Sequence, residues 1–270
     1  MIISTYNSPE WLRKVLWGYL AQSEADFEIV IADDGSTAET GALLASFQGR
    51  FKFPLVHVWH PDDGFRKTVI LNKAIAESST DYLIFSDGDC IPRRDFVATH
   101  LGFREAGYFL SGGYYKLPLD LSREVTEDDV LGGRVFDLAW IWKRGKRRSL
   151  KDLKLAVGNP AMARLMNAAT TTRPSWNGHN ASGWKRDIVA VNGFDERMRY
   201  GAEDREMGDR LAHRGVRSKQ IRYSAICVHL EHDRAYVLDS HLEANRLIWT
   251  ATRQRRLAYT DFGISKTNGE

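Results

Sequence analysis

Cysteine is nearly absent: Cys90 and Cys227 are the only two in 270 residues. Two thiols make no disulfide framework, which agrees with a reducing compartment, and both read as plain buried side chains. Also missing is any apolar run near the roughly 20 residues that span a bilayer, and the opening Met1-Ile2-Ile3-Ser4 turns polar too soon for a signal peptide. A cytoplasmic protein is expected. Excess charge is small as well. The 38 Lys and Arg stand against 35 Asp and Glu, a formal +3, and so no nucleic-acid partner is expected. No internal repeat or low-complexity segment interrupts the chain.

What is present is a chain that is 43% hydrophobic, enough to bury a sizeable core in one large α/β domain. Apolar strand-like runs at 2–3, 27–32, 55–60 and 81–86 alternate with amphipathic helical patterns over 10–22 and 68–78. Strands alternating with helices predict a mostly parallel central sheet with helices on both faces. Ligands of such sheets sit beyond the carboxyl ends of the strands, and the polar groups Thr5-Tyr6-Asn7, Asp33-Asp34 and Asp87-Gly88-Asp89 all fall there. The second half is less regular. It reads as a strand over 109–117, a helix over 128–142, a helix over 202–213, a strand over 224–229 and a final helix over 239–259. Residues 165–183, rich in Ala, Thr, Asn and Gly, read as a mobile loop over the site.

Asp87-Gly88-Asp89 is the strongest local signal. Two carboxylates flanking a glycine can hold a divalent cation while the backbone stays close to a phosphate; an acidic turn at a tight bend is the plainer alternative. Asp33 and Asp34 suit the base or ribose of a nucleotide, or the cap of the next helix. Arg66 and Lys67 put two cations near the middle strands, where a diphosphate needs them, unless they are a solvated surface pair. Glu203-Asp204 stands at a helix start, where carboxylates are favoured whether they cap or act as general base on an acceptor hydroxyl. His229 and His232 follow a strand, and either imidazole can complete a metal site begun by Asp89.

These segments resemble family 2 glycosyltransferases, in particular the branch similar to chondroitin polymerase domains, with a galactosyltransferase-type carboxyl half. The resemblance is carried by IISTYN at 2–7, IADDGST at 31–37, DGFRKTVILNKAI at 63–75, YLIFSDGDCIPRRDF at 82–96 and GFDERMRYGAEDREMGDRL at 193–211. It implies a GT-A, Rossmann-like fold over 1–235, divided into a nucleotide-sugar-binding half (1–115) and an acceptor-binding half (116–235), with a C-terminal helical extension over 236–270. Few residues precede Ile2, so a short first strand is expected.

The resemblance also implies Mn²⁺ or Mg²⁺ on the donor diphosphate. Asp89 is then a direct ligand, Asp87 faces ribose or metal, and His229 completes the shell with His232 as alternate. Thr5, Tyr6, Asn7, Asp33, Asp34, Arg66, Asp87, Gly88 and Asp89 frame the nucleotide-sugar, a UDP-sugar in first place. Asp204 is the catalytic base and Glu203 its acceptor-binding neighbour in an inverting transfer to a glycan or lipid-linked glycan in surface polysaccharide or lipopolysaccharide synthesis. One departure is Gly201-Ala202, where relatives often show two glycines.

Two rival readings are a nucleotidyltransferase, which normally carries a glycine-rich phosphate loop that 4–7 lacks, and a carbohydrate-binding module without turnover. Last, residues 143–154 carry seven basic side chains against Asp152 alone, just after Trp140-Ile141-Trp142. Tryptophan with clustered cations suits the headgroups of an anionic membrane, as it also suits an acidic glycan or a solvated surface.

Overall fold

The computed structural model describes residues 1–232 and 239–266. Ten strands follow in chain order: β1 (Ile2–Thr5), β2 (Ile29–Asp33), β3 (Leu55–Trp59), β4 (Tyr82–Asp87), β5 (Cys90–Pro92), β6 (Tyr108–Ser111), β7 (Gly113–Lys116), β8 (Ala181–Trp184), β9 (Arg217–Gln220) and β10 (Ile226–His229). Seven form a central sheet in the order β3-β2-β1-β4-β8-β6-β9, in which only β8 runs antiparallel to its neighbours. The other three make a small sheet, β5-β10-β7.

Successive side chains of a strand point to opposite faces, and here both faces are covered. Ile3, Ile29, Ile31 and Ile84 turn toward the helices Pro9–Leu20 and Ala38–Ser46, meeting Leu12, Leu16 and Leu43. Ile2, Val30, Ala32, Leu83 and Phe85 face the opposite core, which takes Ile70 and Ala74 from the helix Lys67–Glu77 and Met207 and Leu211 from the helix Glu203–His213. This double cover explains why Met1–Ile3 and Ile29–Ala32 are apolar without alternation. It also leaves the carboxyl ends of β1, β2 and β4 as the place where polar side chains collect.

Three expectations are corrected. The strand predicted over 109–117 is two strands in different sheets, broken at Gly112. A Cβ there would fall 1.9 Å from the Asn180 amide oxygen, so only glycine allows the chain to cross between sheets at that point. The helix predicted over 128–142 is three short turns, Glu127–Leu131, Arg134–Phe136 and Leu138–Lys143, interrupted where Gly133 takes φ 72°. Residues 165–183 are not one continuous loop. They continue the helix Pro160–Ala169, capped by the Asn159 side chain, and then enter the core: Trp176 is fully buried, with its ring 5.3 Å from Phe85 and 5.6 Å from Phe109. Long-range aromatic burial outweighs a loop-like composition.

The last described helix, Asp239–Gln254, packs along Glu203–His213. Thr252 donates to Glu206 at 2.8 Å, and the Trp249 indole donates to Asp209 at 2.8 Å. The boundary expected between 235 and 236 lies outside the described residues.

Candidate active site

β4 reaches its end beside β1, with Asp87 in register with Ser4. Gly88 then donates its N–H to the Ser4 carbonyl at 2.7 Å, and a Cβ at 88 would lie only 2.9 Å from that same oxygen. Glycine is needed because the turn presses against β1. The chain passes from Asp89 directly into β5, and β10 pairs with it so that Cys90 sits opposite His229 and the Leu230 N–H bonds the Asp89 carbonyl at 2.8 Å.

The small sheet therefore delivers two histidines to the acidic turn. His232 Nε2 lies 2.8 Å and His229 Nε2 3.5 Å from Asp89 Oδ2, with the two rings stacked 13° from parallel. Ligand atoms of the three residues all lie within 4.8 Å of one another, and His229 Nδ1 is buried with no hydrogen-bond partner among the described residues. One carboxylate and two imidazoles suit a borderline divalent ion, and favour Mn²⁺ over the all-oxygen preference of Mg²⁺.

Asp87 faces a different partner. Its Oδ1 accepts from Ser4 Oγ at 2.7 Å and from Lys67 Nζ at 2.7 Å. Burial alone would push the Asp87 carboxyl up, but Lys67 and Ser4 overcome it and hold the group well below the usual carboxylate range. Burial likewise depresses Lys67, and the surrounding charges of Asp87, Asp204 and Glu203 reverse this and keep the ammonium charged. Lys67 is thus the cation shared by the acidic turn and the Glu203-Asp204 pair.

In that pair, Asp204 Oδ2 accepts the Gly178 N–H at 2.9 Å, while Oδ1 is buried with no hydrogen-bond partner among the described residues. Its carboxyl is raised above the ordinary aspartate value, first by burial, with Lys67 opposing and Asp87 adding to the rise. Glu203 is pushed up to about 7 by burial and then by the Asp204 charge. A carboxylate with a free oxygen beside a neighbour able to keep its proton is the combination that general-base chemistry uses.

The nucleotide-side candidates form an adjoining cluster at the ends of β1 and β2. Asn7, at φ 44°, links two turns: its N–H bonds Ser36 Oγ at 2.8 Å and its Oδ1 accepts from the Thr37 N–H at 2.9 Å. Asp33 and Asp34 turn inward. Asp33 meets His57 at 2.8 Å and the Ser36 N–H at 2.9 Å, and Asp34 meets His60 at 2.8 Å and the Arg66 N–H at 2.9 Å. Tyr6 is exposed and donates to Asp62 at 2.9 Å, and the Arg66 guanidinium bonds Asp63 at 2.6 Å. Thr5 Oγ1 is buried and lacks a hydrogen-bond partner among the described residues.

A cleft of about 540 Å³ opens beside Asp204, lined by Asp204, Tyr114, His179 and residues of the 172–177 segment. The Tyr114 ring touches both His179 (4.7 Å) and His229 (5.7 Å), so the cleft wall reaches the histidine pair. His179, His57 and His60 were not singled out in the sequence. His57 lies within β3 and His60 just past its end, and they meet Asp33 and Asp34 because β3 pairs with β2, whereas nothing periodic marks His179, whose ring packs on Tyr114.

A mostly parallel α/β sheet with an acidic turn at the end of β4 and a buried carboxylate pair at the start of the helix Glu203–His213 is a GT-A glycosyltransferase scaffold. The model described as glycosyl transferase family 2 matches residues 1–158, and that described as the N-terminal domain of galactosyltransferase matches residues 173–233. The chain belongs to glycosyl transferase family 2. It is 26% identical over 257 residues to the uncharacterized glycosyltransferase YfnE of Bacillus subtilis (strain 168), covering 86% of this chain and 64% of that protein. Among solved structures, Staphylococcus aureus TarS 1–349 in complex with UDP-GlcNAc superposes with TM-score 0.60 at 14% identity, over 92% of this chain and 64% of that one. The mannosyltransferase PcManGT of Pyrobaculum calidifontis, in complex with GDP-Man and Mn²⁺, gives 0.56 at 19% identity, over 87% and 57%. The chain spans less than two thirds of the length of each.

Proposed function

We propose that the chain is an inverting, metal-dependent glycosyltransferase that moves a hexosyl or N-acetylhexosaminyl group from a nucleotide-sugar, in first place a UDP-sugar, to a hydroxyl of a glycan or lipid-linked glycan in bacterial surface polysaccharide or lipopolysaccharide assembly. The observation that carries this reading is the Asp89–His229–His232 cluster together with the partner-poor Asp204, which lines a cleft whose Tyr114 ring packs on His229, with Lys67 feeling the charges of both Asp87 and Asp204.

Asp89, His229 and His232 would hold Mn²⁺ or Mg²⁺, which when bound neutralises the charge of a leaving nucleoside diphosphate. Asp87, held by Ser4 and Lys67, completes that shell or meets the ribose. Thr5, Tyr6 and Asn7 stand beside the nucleotide, with Asp33, Asp34, Arg66 and Gly88 shaping its seat. Asp204 takes the proton of the acceptor hydroxyl, and Glu203, protonated near neutrality, donates a hydrogen bond to the acceptor. The protein works on the cytoplasmic side, in peripheral contact with anionic lipid.

The test is isothermal titration of UDP, other nucleotides and their sugars, with and without Mn²⁺, into wild type, Asp89→Ala and Asp204→Asn. Manganese-dependent UDP binding should vanish in Asp89→Ala and survive in Asp204→Asn. Turnover in Asp204→Asn should fall by roughly 10²–10⁴, the usual worth of a general base. A wild type that binds no nucleotide under any condition would overturn the reading.

A further inference from the structure

The cleft that holds Asp204 is unusual in its charge. Its wall carries four cationic side chains, Lys154, Arg173, Arg205 and Arg222, against the single carboxylate of Asp204. None of the four makes an ion pair among the described residues. Lys154 Nζ donates to the Tyr114 carbonyl at 2.8 Å, and the Arg222 guanidinium bonds the Thr172 hydroxyl. Arg173 and Arg205 are exposed, but Lys154 and Arg222 are half-buried, and elsewhere the chain neutralises such cations: Lys67 with Asp87, Lys146 with Asp152, Arg210 with Glu206.

Three of the cations come from separate elements, so they are not a run along one solvated face. Lys154 stands on the short helix Leu153–Ala156, Arg173 on the connection leading to the buried Trp176, and Arg222 just after β9. Packing fixes the origin of Arg222. A Cβ on Gly113 would lie 2.3 Å from the Arg222 carbonyl, so these backbones touch, and the neighbouring Tyr223 N–H is held by the Asn167 side chain at 2.8 Å. Like charges gathered this way repel. Burial first, and then Arg222 and Lys151, bring the Lys154 ammonium down to about 8. A bound anion would relieve that repulsion, and guanidinium forks match a phosphate or carboxylate in geometry as well as charge.

We propose that Lys154, Arg173 and Arg222 form an anion subsite for the acceptor, so that the sugar receiving the new linkage, or the group next to it, carries a phosphate or a carboxylate. This rests on the transferase reading above, which makes Asp204 the end of the cleft where the acceptor hydroxyl must lie. A phosphate on the sugar, a uronate, and the diphosphate of a lipid carrier share the required chemistry.

The experiment is titration of methyl glucoside 6-phosphate, methyl glucuronide, a short isoprenyl diphosphate in detergent and neutral methyl glucoside into protein with and without Mn²⁺ and UDP. It is run on wild type and on the double variant Arg173→Gln, Arg222→Gln. At least one anionic probe should bind wild type tenfold or more tightly than methyl glucoside and lose tenfold or more in the double variant, and which anion leads tells the three sources apart. Mn²⁺–UDP affinity, which doubles as the check on folding, should change less than twofold. Equal binding of charged and neutral probes would overturn the subsite. So would loss of Mn²⁺–UDP binding in the double variant, because these cations would then serve the donor diphosphate. Anion binding by a wild type that binds no UDP would sink the transferase reading and leave the anion site standing.

Discussion

At the scale of single residues, backbone strain gathers beside the proposed catalytic pair. Gly201 and Ala202 take φ 108° and 68°, and Ala202 is the residue from which the helix Glu203–His213 springs. A left-handed conformation costs an L-residue about 1–2 kcal/mol, whereas glycine adopts it freely and loses about 0.5–1 kcal/mol through greater freedom in the unfolded chain. Ala202→Gly should therefore stabilise the fold by about 0.5–1 kcal/mol in urea denaturation, and a lower midpoint would show that the strain is not there. The sequence revealed the departure from paired glycines but not its meaning, since φ is not written in residue identity. The same holds for Asp87 and Lys67. Both were visible as charges at strand and helix ends, but their 2.7 Å contact follows from β4 and the helix Lys67–Glu77 meeting in space.

At the scale of elements, the helix Asp239–Gln254 acts on the loop that carries Glu203 and Asp204. Asn245 is buried on it; its Nδ2 donates to the Arg199 and Gly201 carbonyls at 2.8 and 2.7 Å, and its Oδ1 accepts from the Arg199 N–H at 3.1 Å. Asn245→Ala would strand three backbone groups and cost about 2–3 kcal/mol. Turnover should drop about tenfold while Mn²⁺–UDP affinity stays the same; stability lost with turnover intact would reduce the helix to a prop. This coupling was illegible in the sequence, where 236–270 read as an extension. Elements with a sustained apolar pattern, β1 to β4 and the helices between them, were legible to within a few residues. Of the small sheet, only β10 was, read as a strand over 224–229; its pairing was not. β5, β7 and β10 are three or four residues long, and what aligns His229 with Asp89 is pairing between distant segments rather than any local period.

On the scale of the whole molecule, no helix among the described residues is long and apolar enough to cross a membrane. Of the tryptophans expected to meet lipid, Trp140 is packed in the core with Arg144 over its ring, while Trp142 is half-buried and its indole donates to Asp152 at 2.9 Å. Two leucines of the basic segment are exposed instead: Leu150 is 88% exposed and Leu153 49%, in a segment where Lys143, Arg147, Arg148 and Lys151 also stand in solvent. Lys146 belongs to a different set, since it pairs with Asp152 at 3.3 Å, and its removal would disturb the fold rather than the surface. Each cation at an anionic membrane is worth about 1 kcal/mol. Replacing Lys143, Arg147, Arg148 and Lys151 with Gln should therefore weaken co-sedimentation with phosphatidylserine vesicles by at least tenfold in low salt. Leu150→Ser with Leu153→Ser should weaken the binding that persists in high salt, because apolar insertion is not screened. Equal sedimentation of all three proteins would mean that this face meets water alone, and a lipid-linked acceptor would then have to be brought to the cleft without help from the surface beside it.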